Sequence, residues 1–92
     1  MFVLVCFDIV DNRVRYRVVK TLKGYGVRVQ KSVFECANIT EHKFLKMVSR
    51  IDELIDHTED TVRYYKLCAL CIKAVEVSGV GVEPILQKFS VA

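Results

Sequence analysis

The sequence has 92 residues, 52% of them hydrophobic, and a formal charge of +3. That length suits one domain, and no stretch approaches the ~18–20 apolar residues of a membrane helix. The start lacks a basic segment and its apolar run stops at Asp8, which argues against a secretory leader and for a cytoplasmic protein.

The first stretch, Phe2-Val3-Leu4-Val5-Cys6-Phe7-Asp8, is β-branched and aromatic until its last residue. Such a run reads as a strand buried on both faces. Asp8 falls where this strand leaves the core. It either caps the following loop or is held at the rim of a sheet to do chemistry. Asp11 or Asn12 can cap a helix, in which Val14, Val18, Leu22 and Tyr25 share one face at helical spacing. Arg13, Arg17 and Lys20 fall on the far face, and Arg15 lies at the flank, within reach of the rim that carries Asp8. Gly24-Tyr25-Gly26 should end the helix, with glycine supplying a left-handed cap.

Val27–Gln30 alternates as a half-buried strand does. Phe34 and Cys36 then carry the opposite parity, so a turn or bulge is expected near Lys31-Ser32, giving a tight hairpin or one kinked strand with Val33–Ala37. Thr40 is a good cap for a second helix, with Ile39 and Phe44 as a staple. Phe44, Leu45, Val48, Ile51, Leu54 and Ile55 form its apolar stripe. A polar turn at His57–Asp60 leads to a strand at Val62–Leu67. Cys68–Cys71 is a short connector, Ala74–Val77 a short fifth strand, and residues 79–92 an apolar tail punctuated by glycine.

The order βαββαβ with a short extra C-terminal strand is that of a ferredoxin-like α+β fold: an antiparallel sheet with two helices on one face. Residues 1–78 would form that domain, with 79–92 packing on a partner. The sheet's second face is left bare, and the high apolar content is best explained by a second copy covering it, so a homodimer is expected.

Charge is uneven. Arg13, Arg15, Arg17, Lys20, Lys23, Arg28 and Lys31 make seven of the 14 bases and enclose no acid, whereas from Glu41 to Asp60 six acids face three bases. A one-sided basic segment suits a polyanion, most often nucleic acid, although a solvated helix face would look the same. Cys6 and Cys36 sit in strand-like runs as buried thiols. Cys68 and Cys71 have metal-ligand spacing but form a single pair with no histidine nearby, which disfavours both zinc binding and redox use. His42 and His57 read as surface residues, and no serine or tyrosine has a histidine or carboxylate beside it in sequence to act as a general base.

Phe7-Asp8-Ile9, then Asp11-Asn12-Arg13-x-Arg15-x-Arg17, then Leu22-x-x-Tyr25-Gly26-x-Arg28-x-Gln30-x-Ser32-Val33-Phe34-Glu35 closely resemble the small CRISPR-associated endoribonuclease family Cas2. The resemblance spans essentially the whole chain and is most specific from Phe7 to Glu35. It implies a homodimer whose sheets face each other, with each C-terminal strand joining the partner's sheet. It makes Asp8 the catalytic residue and a ligand of magnesium, or of manganese, close to its symmetry mate. Arg15, Arg17, Arg28 and Phe34 match residues of that family and, with Arg13 of the same basic segment, become the nucleic-acid-binding residues, although Phe34, beside the cations of the hairpin, reads equally well as a core aromatic.

Activity would be metal-dependent hydrolysis of single-stranded RNA or double-stranded DNA at the adaptation stage of antiviral defence. The alternative within the family is a non-catalytic DNA-binding scaffold for the integrase Cas1. Phe7 departs from the tyrosine usual before the aspartate. A stacking RNA-binding module is disfavoured, since no Lys/Arg-Gly-Phe-x-Phe cluster occurs on a central strand. A metal carrier is disfavoured because its cysteine pair would follow the first strand, where this chain has aspartates.

Overall fold

The computed structural model describes residues 1–79. Seven elements follow in order: β1 (Phe2–Asp8), α1 (Asn12–Leu22), β2 (Val27–Gln30), β3 (Val33–Cys36), α2 (Glu41–Leu54), β4 (Thr61–Leu67) and a short α3 (Ala69–Lys73). The strands make one antiparallel sheet in the order β2-β3-β1-β4. This is the ferredoxin-like arrangement expected, with β1 central because it carries the densest run of β-branched and aromatic residues.

Local chemistry fixes both long helices. The Asp11 carboxylate accepts from the backbone N–H groups of Arg13 and Val14, and Thr40 accepts from that of Lys43. Each cap satisfies donors that a helix start leaves without partners. The apolar faces then pack onto the sheet. Val3, Val5 and Phe7 of β1, Val18, Val19 and Leu22 of α1, Phe34 and Cys36 of β3, and Phe44, Met47 and Ile51 of α2 form one buried cluster with Ile9 and Ile39. Burial pushes the Cys36 thiol up to about 11 and the Tyr64 phenol up to about 12. The Tyr64 ring meets Phe44 edge-on, 5.7 Å between centroids.

Several expectations need correction. β1 is buried on both faces only at its start: Phe2 is fully buried, but Leu4 and Cys6, which share its face, are only half-buried. β2 is exposed throughout rather than half-buried. It is one of the two edge strands, and Val27 is 62% exposed there. The phase change is a bulge between Arg28 and Gln30, just before the hairpin turn. In α2 Met47, outside the expected stripe, is buried with Phe44 and Ile51, whereas Leu45 is 56% exposed. The Cys68–Cys71 connector is the cap and start of α3, which runs on to Lys73. Ala74–Val77 forms no strand, so the sheet has four strands among the described residues. The tail beyond residue 79 lies outside them.

Gly24 and Gly26 do not supply a left-handed cap. Positive φ occurs at Asn38 and Gly79 among the described residues, and the residue closing α1, Lys23, is itself helical. Gly26 is needed for space instead. A Cβ there would lie 2.4 Å from the Glu35 carbonyl oxygen and 2.7 Å from Cys36 Sγ. The chain leaves α1 by pressing its backbone against β3, and any side chain would force them apart.

Candidate active site

Asp8 ends β1 at the rim of the sheet, directly opposite Thr61 of β4. The backbone N–H of its neighbour Phe7 donates to the Ser32 carbonyl at 3.1 Å, which fixes this end of β1 against the β2–β3 turn. By strand alternation Asp8 shares the face of Leu4 and Cys6, the one that α1 and α2 leave uncovered.

Four aspartates lie at this end of the molecule, and three of them close loops. Asp11 caps α1 at 2.7 Å from the Arg13 nitrogen. Asp60 accepts from the backbone N–H of Val10 at 3.0 Å and of Asp56 at 2.9 Å, tying the β1–α1 loop to the turn before β4. Asp56 accepts from the Thr58 hydroxyl at 2.7 Å and its N–H at 2.9 Å, and these bonds hold its carboxyl below the ordinary range. The Asp8 carboxylate is exposed and, among the described residues, makes no hydrogen bond or ion pair. It is therefore not the loop cap that position alone allowed.

Two shallow clefts flank it. One, of about 300 Å³, is lined by Cys6, Phe7, Asp8, Thr61 and Arg63. The other, of about 350 Å³, is lined by Phe7, Asp8, Ile9, Arg15, Lys31 and Ser32. Cations thus border the carboxylate on both sides. Arg63 pairs across from Cys6 and stands on the same uncovered face as Asp8. Neither Arg63 nor Thr61 stands out in the sequence, yet the alternation of Val62-Arg63-Tyr64 around an edge strand puts Arg63 on the face opposite the core.

The sequence-selected cations divide into two kinds. Arg15 donates to the Ile9 carbonyl at 2.7 Å, to the Val10 carbonyl at 3.4 Å, and to the Asn12 side chain. Arg28 donates to the Lys31 carbonyl through Nε at 3.1 Å and Nη2 at 2.6 Å. Both therefore brace the loops that shape the rim, and Arg15 also lines the second cleft. Arg13 and Arg17 lie apart from Asp8. With Asn12, Tyr16 and Lys20 they line a shallow groove of about 500 Å³ along the outer face of α1. Tyr16 is 68% exposed in that groove. It stands three residues after Arg13 and four before Lys20, so helical spacing was the signal that could have found it.

Phe34 must be removed from the binding residues. It is fully buried, pairs with Val5 and packs its ring 6.3 Å from that of Phe7. A base could reach it only by opening the core.

Magnesium takes oxygen ligands, retains several waters and can be held by one or two carboxylates. The donor set suits that pattern: one unengaged carboxylate at an open rim, and no group of three or more potential ligands among the described residues. A single chain offers one carboxylate; two facing copies would offer two.

Residues 1–75 match the family model described as CRISPR associated protein Cas2. The chain is 40% identical over 81 residues to the CRISPR-associated endoribonuclease Cas2 3 of Chloroflexus aurantiacus, covering 88% of this chain and 86% of the relative. The Streptococcus pyogenes Cas2 crystal structure at pH 6.5 superposes with a TM-score of 0.77 at 34% identity, over 86% of this chain and all of that one. A chain of a partial Cas6-RT-Cas1–Cas2 complex superposes with a TM-score of 0.72 at 30% identity, over 83% and 82%.

Proposed function

The chain belongs to the CRISPR-associated Cas2 family, and on that premise we propose that it is a metal-dependent endoribonuclease of CRISPR adaptation, acting as a homodimer in the cytoplasm. The observation that carries this reading is the unengaged Asp8 carboxylate, set between cationic clefts at a rim where every neighbouring aspartate closes a loop. Magnesium, with manganese as the alternative, would be held by Asp8. When bound it would polarise the phosphoryl oxygen and acidify a water.

The rest falls to the protein's own residues. Arg13, Arg17 and Lys20 draw in the phosphate chain without reading sequence. Arg63 and Lys31 border the carboxylate, where they can offset the charge of a phosphodiester. Arg15 and Arg28 keep the loops of the rim in shape. Dimerisation through the uncovered face would bring the second Asp8 to the same place and cover Leu4, Cys6 and Tyr65. No helix among the described residues is long and apolar enough to cross a membrane.

The test is cleavage of a single-stranded RNA by the purified chain with magnesium or with excess chelator. Cleavage should require the metal and come from a species of twice the chain mass by sedimentation. Equal cleavage in chelator, or activity in a monomer fraction, would sink the proposal.

A second reading has support of its own. Phe7 is 6% exposed and packed on Phe34, so the rim has no hydroxyl where the family usually has tyrosine. The α1 groove, by contrast, is independent of Asp8. A dimer that binds duplex DNA through that groove and docks the integrase Cas1, as in the complex it resembles, would need no hydrolysis. In either reading binding should fall log-linearly with salt. Changing Arg13 and Arg17 together to Ala should shrink the slope for single-stranded RNA by about 1.4, at ~0.7 for each phosphate no longer neutralised. An unchanged slope would place the nucleic acid on another surface.

A further inference from the structure

Cys68 and Cys71 take no part in the rim or the α1 groove. They occupy the cap and third position of α3, so one turn brings both side chains to the same side. Their sulfurs are 3.3 Å apart and joined by a hydrogen bond. Both residues are exposed, whereas Cys36 is buried and Cys6 half-buried. We infer that Cys68 and Cys71 form a redox-modification site, which a low-molecular-weight disulfide converts reversibly into an intrachain bridge.

Cys68 is the attacking thiol. The backbone N–H and then the thiol of Cys71 hold it below its ordinary range, although Cys68 makes no full capping hydrogen bond; Cys71 is raised in turn by Cys68. The thiolate is the nucleophile. Cys68 attacks one sulfur of R–S–S–R, breaking that bond and forming Cys68–S–S–R, while RS⁻ leaves and takes up a proton. Cys71 then loses its proton and attacks the Cys68 sulfur, and the second RS⁻ departs. Two thiols are oxidised to one disulfide, and the reagent is reduced to two RSH. Closing the gap to bonding distance takes a sulfur movement of about 1.3 Å. An exposed bridge across so short a loop is the labile kind that thiols reopen. It would fix the first turn of α3, between the end of β4 and the buried Ile72.

The full chain is equilibrated in chelator-containing glutathione buffers from reduced to oxidised, quenched in acid, blocked with N-ethylmaleimide and digested with trypsin. Cleavage after Lys66 and Lys73 releases 67–73, which holds Cys68 and Cys71 and neither other cysteine. In oxidised buffer this peptide should be lighter by two hydrogens and carry no maleimide, reverting in reduced buffer at any protein concentration. Two maleimides, two glutathiones, or cross-links that grow with protein concentration would overturn the inference. Cys71→Ser should trap one glutathione on Cys68 severalfold faster than Cys68→Ser traps it on Cys71. Equal rates would overturn the assignment of the attacking thiol. Nuclease activity is not read, so failure here leaves the function above untouched.

Discussion

Asp8→Asn is expected to reduce magnesium-dependent cleavage by at least about 10²–10³-fold, the scale for losing a single hydrogen-bond donor to a developing charge, because here the metal ligand itself is lost. The substitution keeps the shape and removes the negative charge that a hard cation needs. It should leave the fold alone, because Asp8 is exposed and, among the described residues, has no partner to lose. The backbone pairing of β1 with β4 does not involve its carboxylate. Thermal midpoint and dimer mass should therefore match the parent, and RNA affinity measured in chelator should equal or exceed it. Removing an anion from a basic rim can only help phosphate approach. If the variant cleaves as the parent does, the activity belongs to another centre or to a contaminant. If cleavage is lost together with dimer mass, Asp8 is a structural residue after all. Spacer capture with Cas1 provides the complementary measurement: uptake preserved in the Asn variant would give the cellular role to the scaffold.

Phe34→Ala is expected to cost about 3–5 kcal/mol of stability, the range for deleting a buried aromatic ring. The ring is fully buried in the cluster that α1 and α2 lay on the sheet, against Phe7. Against a total of roughly 5–15 kcal/mol for a domain, that loss threatens folding itself. The thermal midpoint should drop by about 12 °C or more, since ~1 kcal/mol moves a domain of this size by 4–8 °C. Binding of single-stranded RNA at low temperature by the fraction still folded should be unchanged. A variant that melts like the parent but binds RNA weakly would restore the stacking role that burial denies.

These two residues mark what the sequence makes legible. Asp8 can be placed because a strand's end is a local event: an apolar run stops at a carboxylate. The same holds for the caps Asp11 and Thr40, whose side chains act within three residues of themselves. Phe34 shows the opposite. Its place beside cations suggests a binding surface, and only the pairing of β3 with β1 shows that its side of the strand is the core. Arg15 and Arg28 are visible as charges, but the carbonyls they brace are set by loop paths. Val27 and Val29 alternate as a half-covered strand should, yet β2 lies at the sheet's margin, where the helices leave it exposed. Met47 and Leu45 exchange places because a wide apolar stripe does not say which flank meets the sheet.

The two margins of the sheet differ in a way that bears on self-association. β2 has four residues and a bulge, and Arg28 stands on it, features that spoil the regular ladder another chain would need. β4 runs seven residues in unbroken register with β1, and its outer line of amides and carbonyls is unpaired among the described residues. Strand addition is therefore steered to one margin. A molecule that can grow from a single side ends in a closed pair and not in a fibre. The bulge in β2 thus acts as a terminator of polymerisation, and straightening it would open the route to aggregates that the wild-type sheet denies.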